Sequence, residues 1–294
     1  MTPIEELRAR VATACPEGQR ATSIPRLGLM RSDAPTVFGP GFYQPVVCFA
    51  AQGRKQISVA GRDYAYDSEH YLAVALDLPV MARITEASPE APYLVIRLSL
   101  DPGLLAGLML DMPGAAGLRS PGLGIGRMEP DLLDAVLRMV RLIDRPEEAA
   151  ALAPLVEREI LWRLLLGPQG PMLRQIALAD SRLARVGRAI GWIRAHFDQP
   201  LRIADLAERA AMSPATLHRH FRAVTAMSPL QYQKHLRLHE ARRRLLVAHD
   251  AAQDVGFRVG YESPSQFSRD YARLFGAPPA RDGARLRAAA LAGE

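Results

Sequence analysis

Short apolar runs mark residues 26–100, and their spacing predicts strands. The runs are RLGLMRSD (26–33), VVCFAAQ (46–52), KQISVAG (55–61), RDYAYD (62–67), HYLAVALD (70–77), VMARITEA (80–87) and YLVIRLSL (93–100). Turn signals separate them: Gln52-Gly53, Gly61, Asp67-Ser68, Leu78-Pro79 and Ser88-Pro89. Evenly spaced short strands rich in Val, Ile and Tyr predict an antiparallel sandwich or small barrel. From about residue 101 the period lengthens. LLDAVLRMVRLID (132–144) and AALAPLVEREILWRLLLG (150–167) set apolar residues three and four apart, the helical spacing. Leu155, Ile160, Leu161, Leu164 and Leu165 form a stripe suited to packing on the barrel or to a dimer surface. RLARVGRAIGWIRAHF (182–197) predicts a further helix, ended at Asp198-Gln199-Pro200.

The next hundred residues hold a repeated pattern. In residues 201–229 a helix from Ile203 to Ala210 turns inward Ile203, Leu206, Ala207 and Ala210. Ala211-Met212 make a turn, Ser213 caps a second helix, and Pro214 stands at its first position, where a missing N–H costs nothing. Leu217 and Phe221 pack inward, leaving Ala215, Thr216, His218, Arg219 and Arg222 outside. Residues 250–279 repeat the plan: Val255 and Val259 inward, Gly260 in the turn, Ser263 as cap and Pro264 after it. The offset is 50 residues for Ser213/Ser263, Pro214/Pro264, Leu217/Phe267, Arg219/Arg269 and Phe221/Tyr271. Ser263 with Gln266, and Ser228 with Gln231, read as capping boxes. Between the repeats a helix from Pro229 to about Val247 is a rod of roughly 27–30 Å, long enough to hold two recognition helices near one DNA turn apart.

Charge follows the same division. The net charge is +6 over 294 residues. Residues 1–181 carry 18 Lys+Arg against 21 Asp+Glu, and residues 182–294 carry 19 against 10. A basic tail behind a mildly acidic front predicts a polyanion partner for the tail. The expected fold class is therefore α+β in two domains. Residues 1–181 form an antiparallel β-barrel with following helices, and 182–294 an all-α domain with two helix-turn-helix units. No run approaches the ~18 apolar residues needed to span a bilayer, and the start MTPIEELRARVATACPEG does not read as a secretory signal, so the cytoplasm is expected. Two cysteines, Cys15 and Cys48, are too few for a disulfide framework.

The tail resembles the AraC/XylS family of bacterial regulators. AERAAMSPATLHRHFRAVTAMSPLQYQKHLRLHEARRRLL and VGYESPSQFSRDYARLFGAPP carry the resemblance. PVVCFAAQGRKQISVAGRDYAYD, YLAVALDLPV and APLVEREILWRLLLGPQG resemble the cupin-type N-terminal domain of one AraC subgroup. The resemblance implies a sensor barrel, double-stranded DNA and RNA polymerase as partners, and often control of nearby aldehyde or alcohol oxidoreductase genes, as an activator. The chain departs from the family pattern at Ala211, where glycine is usual, at Gly256, where alanine is usual, and at Asp282-Gly283, where Tyr-Arg is common.

On this reading Arg219 and Arg269 are the base readers, since arginine meets guanine O6 and N7 bidentately. Ala215, Thr216, His218, Ser265, Gln266 and Ser268 are further base or phosphate partners, and Arg222, Lys234, Arg237 and Arg273 are phosphate contacts. Six of the seven histidines follow residue 195. His235 and His239 stand four apart on one helix face, but no cysteine or carboxylate set completes a metal site. Metal-binding cupins cluster histidines, and the front domain has only His70, so neither metal nor cofactor is expected. Cys48, Tyr66, His70 and Tyr93 are the effector-pocket candidates. Cys48 reads by default as a buried inert thiol, and more sharply as a sensor of an electrophile such as an aldehyde. Two other functions compete: a cupin enzyme with a DNA-binding appendage, and a regulator, monomeric or dimeric, controlled by a protein partner.

Overall fold

The computed structural model describes residues 1–112, 121–178, 181–247 and 251–291. The chain opens with helix α1 (Pro3–Ala14), started by a capping box in which Thr2 Oγ1 accepts from Glu5 N–H and Glu5 Oε2 accepts from Thr2 N–H. Ten strands follow among the described residues: β1 (Gln19–Ala21), β2 (Leu27–Ser32), β3 (Gly39–Tyr43), β4 (Val46–Gln52), β5 (Arg54–Val59), β6 (Arg62–Tyr66), β7 (His70–Val74), β8 (Leu78–Glu86), β9 (Tyr93–Ser99) and β10 (Leu123–Arg127). They form two antiparallel sheets, one in the order β1-β2-β9-β4-β7-β10 and one in the order β3-β8-β5-β6. All seven predicted strands are present. The unpredicted β1, β3 and β10 are short, and the last two are interrupted by Gly39, Pro40, Gly41, Gly124 and Gly126, which weaken any strand signal.

Helix α2 (Pro102–Leu110) precedes β10. Helices α3 (Pro130–Arg141), α4 (Pro146–Leu166) and α5 (Gly170–Ala177) then pack beside the sheets. Glu6 of α1 is gripped by Arg141 of α3 and by Arg10, which hold its carboxyl down from 4.5 to about 2. The α4 stripe divides. Ile160, Leu161, Leu164 and Leu165 are buried in the core, while Leu155 is exposed together with Leu152 and Leu166.

The tail consists of α6 (Arg182–Ala195), α7 (Ile203–Arg209), α8 (Pro214–Thr225), α9 (Pro229–Val247), α10 (Ala252–Arg258), α11 (Pro264–Phe275) and α12 (Pro279–Leu291). One apolar core runs from the sheets through α6, α7 and α8 to Tyr232 on α9. A second, separate core gathers Leu238, Ala241, Leu245, Val255, Val259, Tyr261, Phe267 and Tyr271. Polar contacts join the front and tail domains. Tyr232 Oη donates to the Asp77 carbonyl at 2.9 Å, Gly122 N–H donates to the Val224 carbonyl at 3.1 Å, and Arg194 pairs with Asp77 while stacking 4.9 Å over the Phe42 ring.

Candidate nucleic-acid interface

Helices α8 and α11 begin alike. Ser213 Oγ accepts from Thr216 N–H, Ser263 Oγ accepts from Gln266 N–H, and a proline follows each cap. The reciprocal half of the expected Ser263–Gln266 box is missing, whereas Ser228 and Gln231 make both bonds. Leu217 with Phe221, and Phe267 with Tyr271, are fully buried. Their outer faces expose Ala215, His218, Arg219 and Arg222 on α8, and Ser265, Gln266, Ser268, Arg269 and Arg273 on α11. Thr216 is half-buried, its hydroxyl taking a bond from Ser213 Oγ at 2.9 Å. Arg219, Arg222 and Arg269 make no ion pair or side-chain hydrogen bond among the described residues. This contrasts with the front domain, where Arg26, Arg138, Arg141 and Arg163 all hold carboxylates. Unpaired guanidinium groups on a helix face suit a polyanion.

Three of the four predicted phosphate contacts already hold partners inside the domain. The Arg237 guanidinium is enclosed by three carbonyls, donating to Phe197 O at 2.6 Å, Gly260 O at 2.6 Å and Gln199 O at 2.9 Å. It is a staple between the end of α6 and the turn before α11. Lys234 Nζ lies 3.0 Å from Asp270, whose side chain is buried on α11, so it ties α9 to α11. Arg273 also pairs with Asp270 but keeps a largely exposed side chain. His239 Nε2 is enclosed without a hydrogen-bond partner, and burial, with His235 and Arg242 nearby, pushes its pKa down to about 3. It is neutral at physiological pH. No group of three or more metal-ligand side chains occurs among the described residues.

Between the two sheets lies a cavity of about 230 Å³ lined by Gln19, Met30, Gly41, Phe42, Tyr43, Cys48, Lys55, Tyr66, Ala82, Val95 and Arg97. Register builds each wall: in one sheet Gln19 pairs with Met30, Met30 with Val95 and Cys48 with Arg97, and in the other sheet Lys55 pairs with Tyr66. Tyr66 and Tyr93 hydroxyls share a hydrogen bond of 2.8 Å. Cys48 is 1% exposed, and burial pushes its thiol pKa up, so the thiol is protonated. A larger cleft of about 540 Å³ separates the domains, with Pro40, Gly41 and Phe42 of β3 on one side and Arg194, His239 and Leu286 among the residues on the other.

Comparison with known proteins settles the family. Residues 23–172, over half the chain, match the family model for the AraC-type transcriptional regulator N-terminus. The chain belongs to the AraC-type transcriptional regulators. A helix-turn-helix domain model matches residues 206–284. The HTH-type transcriptional activator RhaS of Escherichia fergusonii is 29% identical over 156 residues, 52% of this chain and 55% of that protein. RhaS of Salmonella schwarzengrund is 28% identical over the same shares. These matches span about half the length of the curated relatives. The structure of ToxT from Vibrio cholerae with bound unsaturated fatty acid covers 90% of this chain and 96% of its own at TM-score 0.55 and 9% identity, a likeness of fold. No helix among the described residues is long and apolar enough to cross a membrane.

In this AraC-type regulator the cavity holds some predicted pocket residues and not others. Cys48 and Tyr66 line it, and Tyr93 stands behind Tyr66. His70 does not: it starts β7 with its ring on Asp67 at 2.8 Å and its backbone opposite Arg127. Sequence reasoning missed Lys55 and Arg97. Their signal was parity, because Lys55 shares a strand face with Ile57 and Val59, and Arg97 with Tyr93 and Val95. Two of the departures from the family pattern also find causes. A Cβ on Gly256 would sit 2.8 Å from the Phe267 ring, so the larger Phe267 occupies the space. Asp282 is fully buried, accepting from Arg242 Nε at 2.8 Å and Tyr271 Oη at 2.9 Å.

Proposed function

We propose that this regulator reads a site of about 17–20 base pairs through α8 and α11 in successive major grooves, under control of a small effector held between the sheets. Arg219 and Arg269 read guanine. Ala215, Thr216, His218, Ser265, Gln266 and Ser268 line the base edges or neighbouring phosphates, and Arg222 and Arg273 hold phosphates. The observation that carries this is the pair of equally capped helices presenting unpaired, exposed arginines at matching positions. The unit boundary falls near Arg182. Strand β3 lines both the inter-sheet cavity and the interdomain cleft, so a ligand that moves β3 acts on Arg194 through Phe42. Effector binding then biases two arrangements of sensor and tail. The cavity favours this reading over control by a protein partner alone.

The regulator acts in the cytoplasm as an activator contacting RNA polymerase, with aldehyde or alcohol oxidoreductase genes as its targets, and is not itself an enzyme. A second copy would cover exposed Leu152, Leu155 and Leu166 of α4 to make a homodimer. The test is a nuclease footprint of the full chain on its own upstream intergenic DNA. Wild type should protect about two helical turns, and Arg219→Ala should lose about 1–3 kcal/mol of base discrimination at one position. Affinity should fall linearly in log salt. An unchanged footprint in Arg219→Ala removes α8 from base reading.

A further inference from the structure

We infer that the cavity between the sheets is a carboxylate site, with Arg97 from one sheet and Lys55 from the other as its two cationic arms. The inference rests on the effector reading above. No Asp or Glu lines the cavity. Neither Lys55 nor Arg97 pairs with a carboxylate among the described residues; Arg97 donates to Gln19 Oε1 at 3.3 Å and lies beside the Cys48 thiol, and Lys55 Nζ rests 5.6 Å from the Tyr43 ring and 6.0 Å from the Tyr93 ring. Two cations drawn into a partly dry cavity repel each other and lose hydration, and an anion between them reverses both costs. Burial accordingly pushes the Lys55 pKa down. Elsewhere in this domain half-buried arginines hold a carboxylate, as Arg141 holds Glu6 at 2.6 Å. The missing carboxylate of the cavity is the ligand's.

The rest of the wall defines the remainder of the molecule. Of the Tyr66–Tyr93 pair only Tyr66 lines the cavity, beside Tyr43 and Cys48; when Tyr93 donates to it, the Tyr66 hydroxyl keeps its own proton for a ligand oxygen. Met30, Phe42, Ala82 and Val95 offer apolar contact. At ~30 Å³ per water-sized group, 230 Å³ admits about eight such groups. The occupant is a short carboxylate with an apolar body. Inorganic phosphate would leave the apolar half empty, and a neutral aldehyde or alcohol would leave both cations unpaired.

The test uses the full chain and thermal-shift titrations with benzoate and hexanoate, set against benzyl alcohol, benzaldehyde, hexanol and inorganic phosphate. Carboxylates alone should raise Tm. Lys55→Gln and Arg97→Gln should each weaken them about tenfold or more, the loss of a hydrogen bond to a charged group. Ala82→Phe, which fills the cavity without touching a charge, should abolish the shift, and Lys55→Arg should retain it should the neutral variants fold poorly. Stabilisation by the neutral compounds or by phosphate, abolished by Ala82→Phe but indifferent to Lys55 and Arg97, overturns the carboxylate assignment and leaves the effector reading standing. No shift with any compound removes both.

Discussion

The two helix-turn-helix units share a plan and are held by different means. The first has no core of its own: Leu217, Phe221 and Val224 belong to the core that continues into the sheets, and Tyr232, edge-on to Phe221, bonds the Asp77 carbonyl. The second closes on itself around Val255, Val259, Phe267 and Tyr271, locked by the buried Arg242–Asp282 pair. Their backbones differ in the same sense. The left-handed positions are Ala211 (φ 51°) and Ala226 (φ 61°) in the first unit, and Gly260 (φ 89°) and Gly276 (φ 77°) in the second. An alanine there carries strain that glycine avoids. The lesson is that the first unit leans on the front domain for its stability and is therefore the unit that a change in that domain reaches. The second holds its shape independently.

Breaking the second unit's lock should have the largest effect. Asp282→Ala strands the Arg242 guanidinium, and urea unfolding should show a loss of about 3–5 kcal/mol confined to α10–α12. Gly260→Ala comes next. Its Cβ would lie 2.2 Å from the Asp198 carbonyl oxygen in a left-handed backbone, costing about 2 kcal/mol or more in the same measurement. Tyr232→Phe removes the bond to Asp77 and should cost about 1 kcal/mol, seen as faster amide exchange in α7 and α8 with α11 unchanged. The smallest effect runs the other way: Ala211→Gly or Ala226→Gly should stabilise the first unit by up to about 1 kcal/mol in thermal melts. Equal gains from glycine in both units are impossible, because the second already has it.

Much of this plan was legible because it is local. Caps, prolines and inward pairs lie within a few residues of one another, so Ser213, Pro214, Leu217 and Phe221 announced α8, and their counterparts announced α11. Matching the caps concealed one difference: the first helices of the units align at an offset of 49, since α10 ends at Arg258 and α7 at Arg209, and the second turn is one residue longer. The fate of Arg237 was not legible, because the carbonyls of Phe197, Gln199 and Gly260 reach it only in the folded domain. Lys234 hides for the same reason, its partner Asp270 lying on another helix. In the cavity, strand parity marks Lys55 and Arg97 as inward, but cations on a strand read by default as solvent-facing, and His70 lies outside the cavity because its ring turns to Asp67. The Thr2–Glu5 capping box of α1 is equally local and equally legible.

The unequal footing of the two units is tested most directly by native-state hydrogen exchange of the full chain across a urea series. The account predicts that α7 and α8 open together with the barrel strands, at one free energy and one urea dependence, while α10 and α11 open separately. Merging of both units into one transition apart from the barrel, or exchange of α7 and α8 long before the barrel, would contradict it.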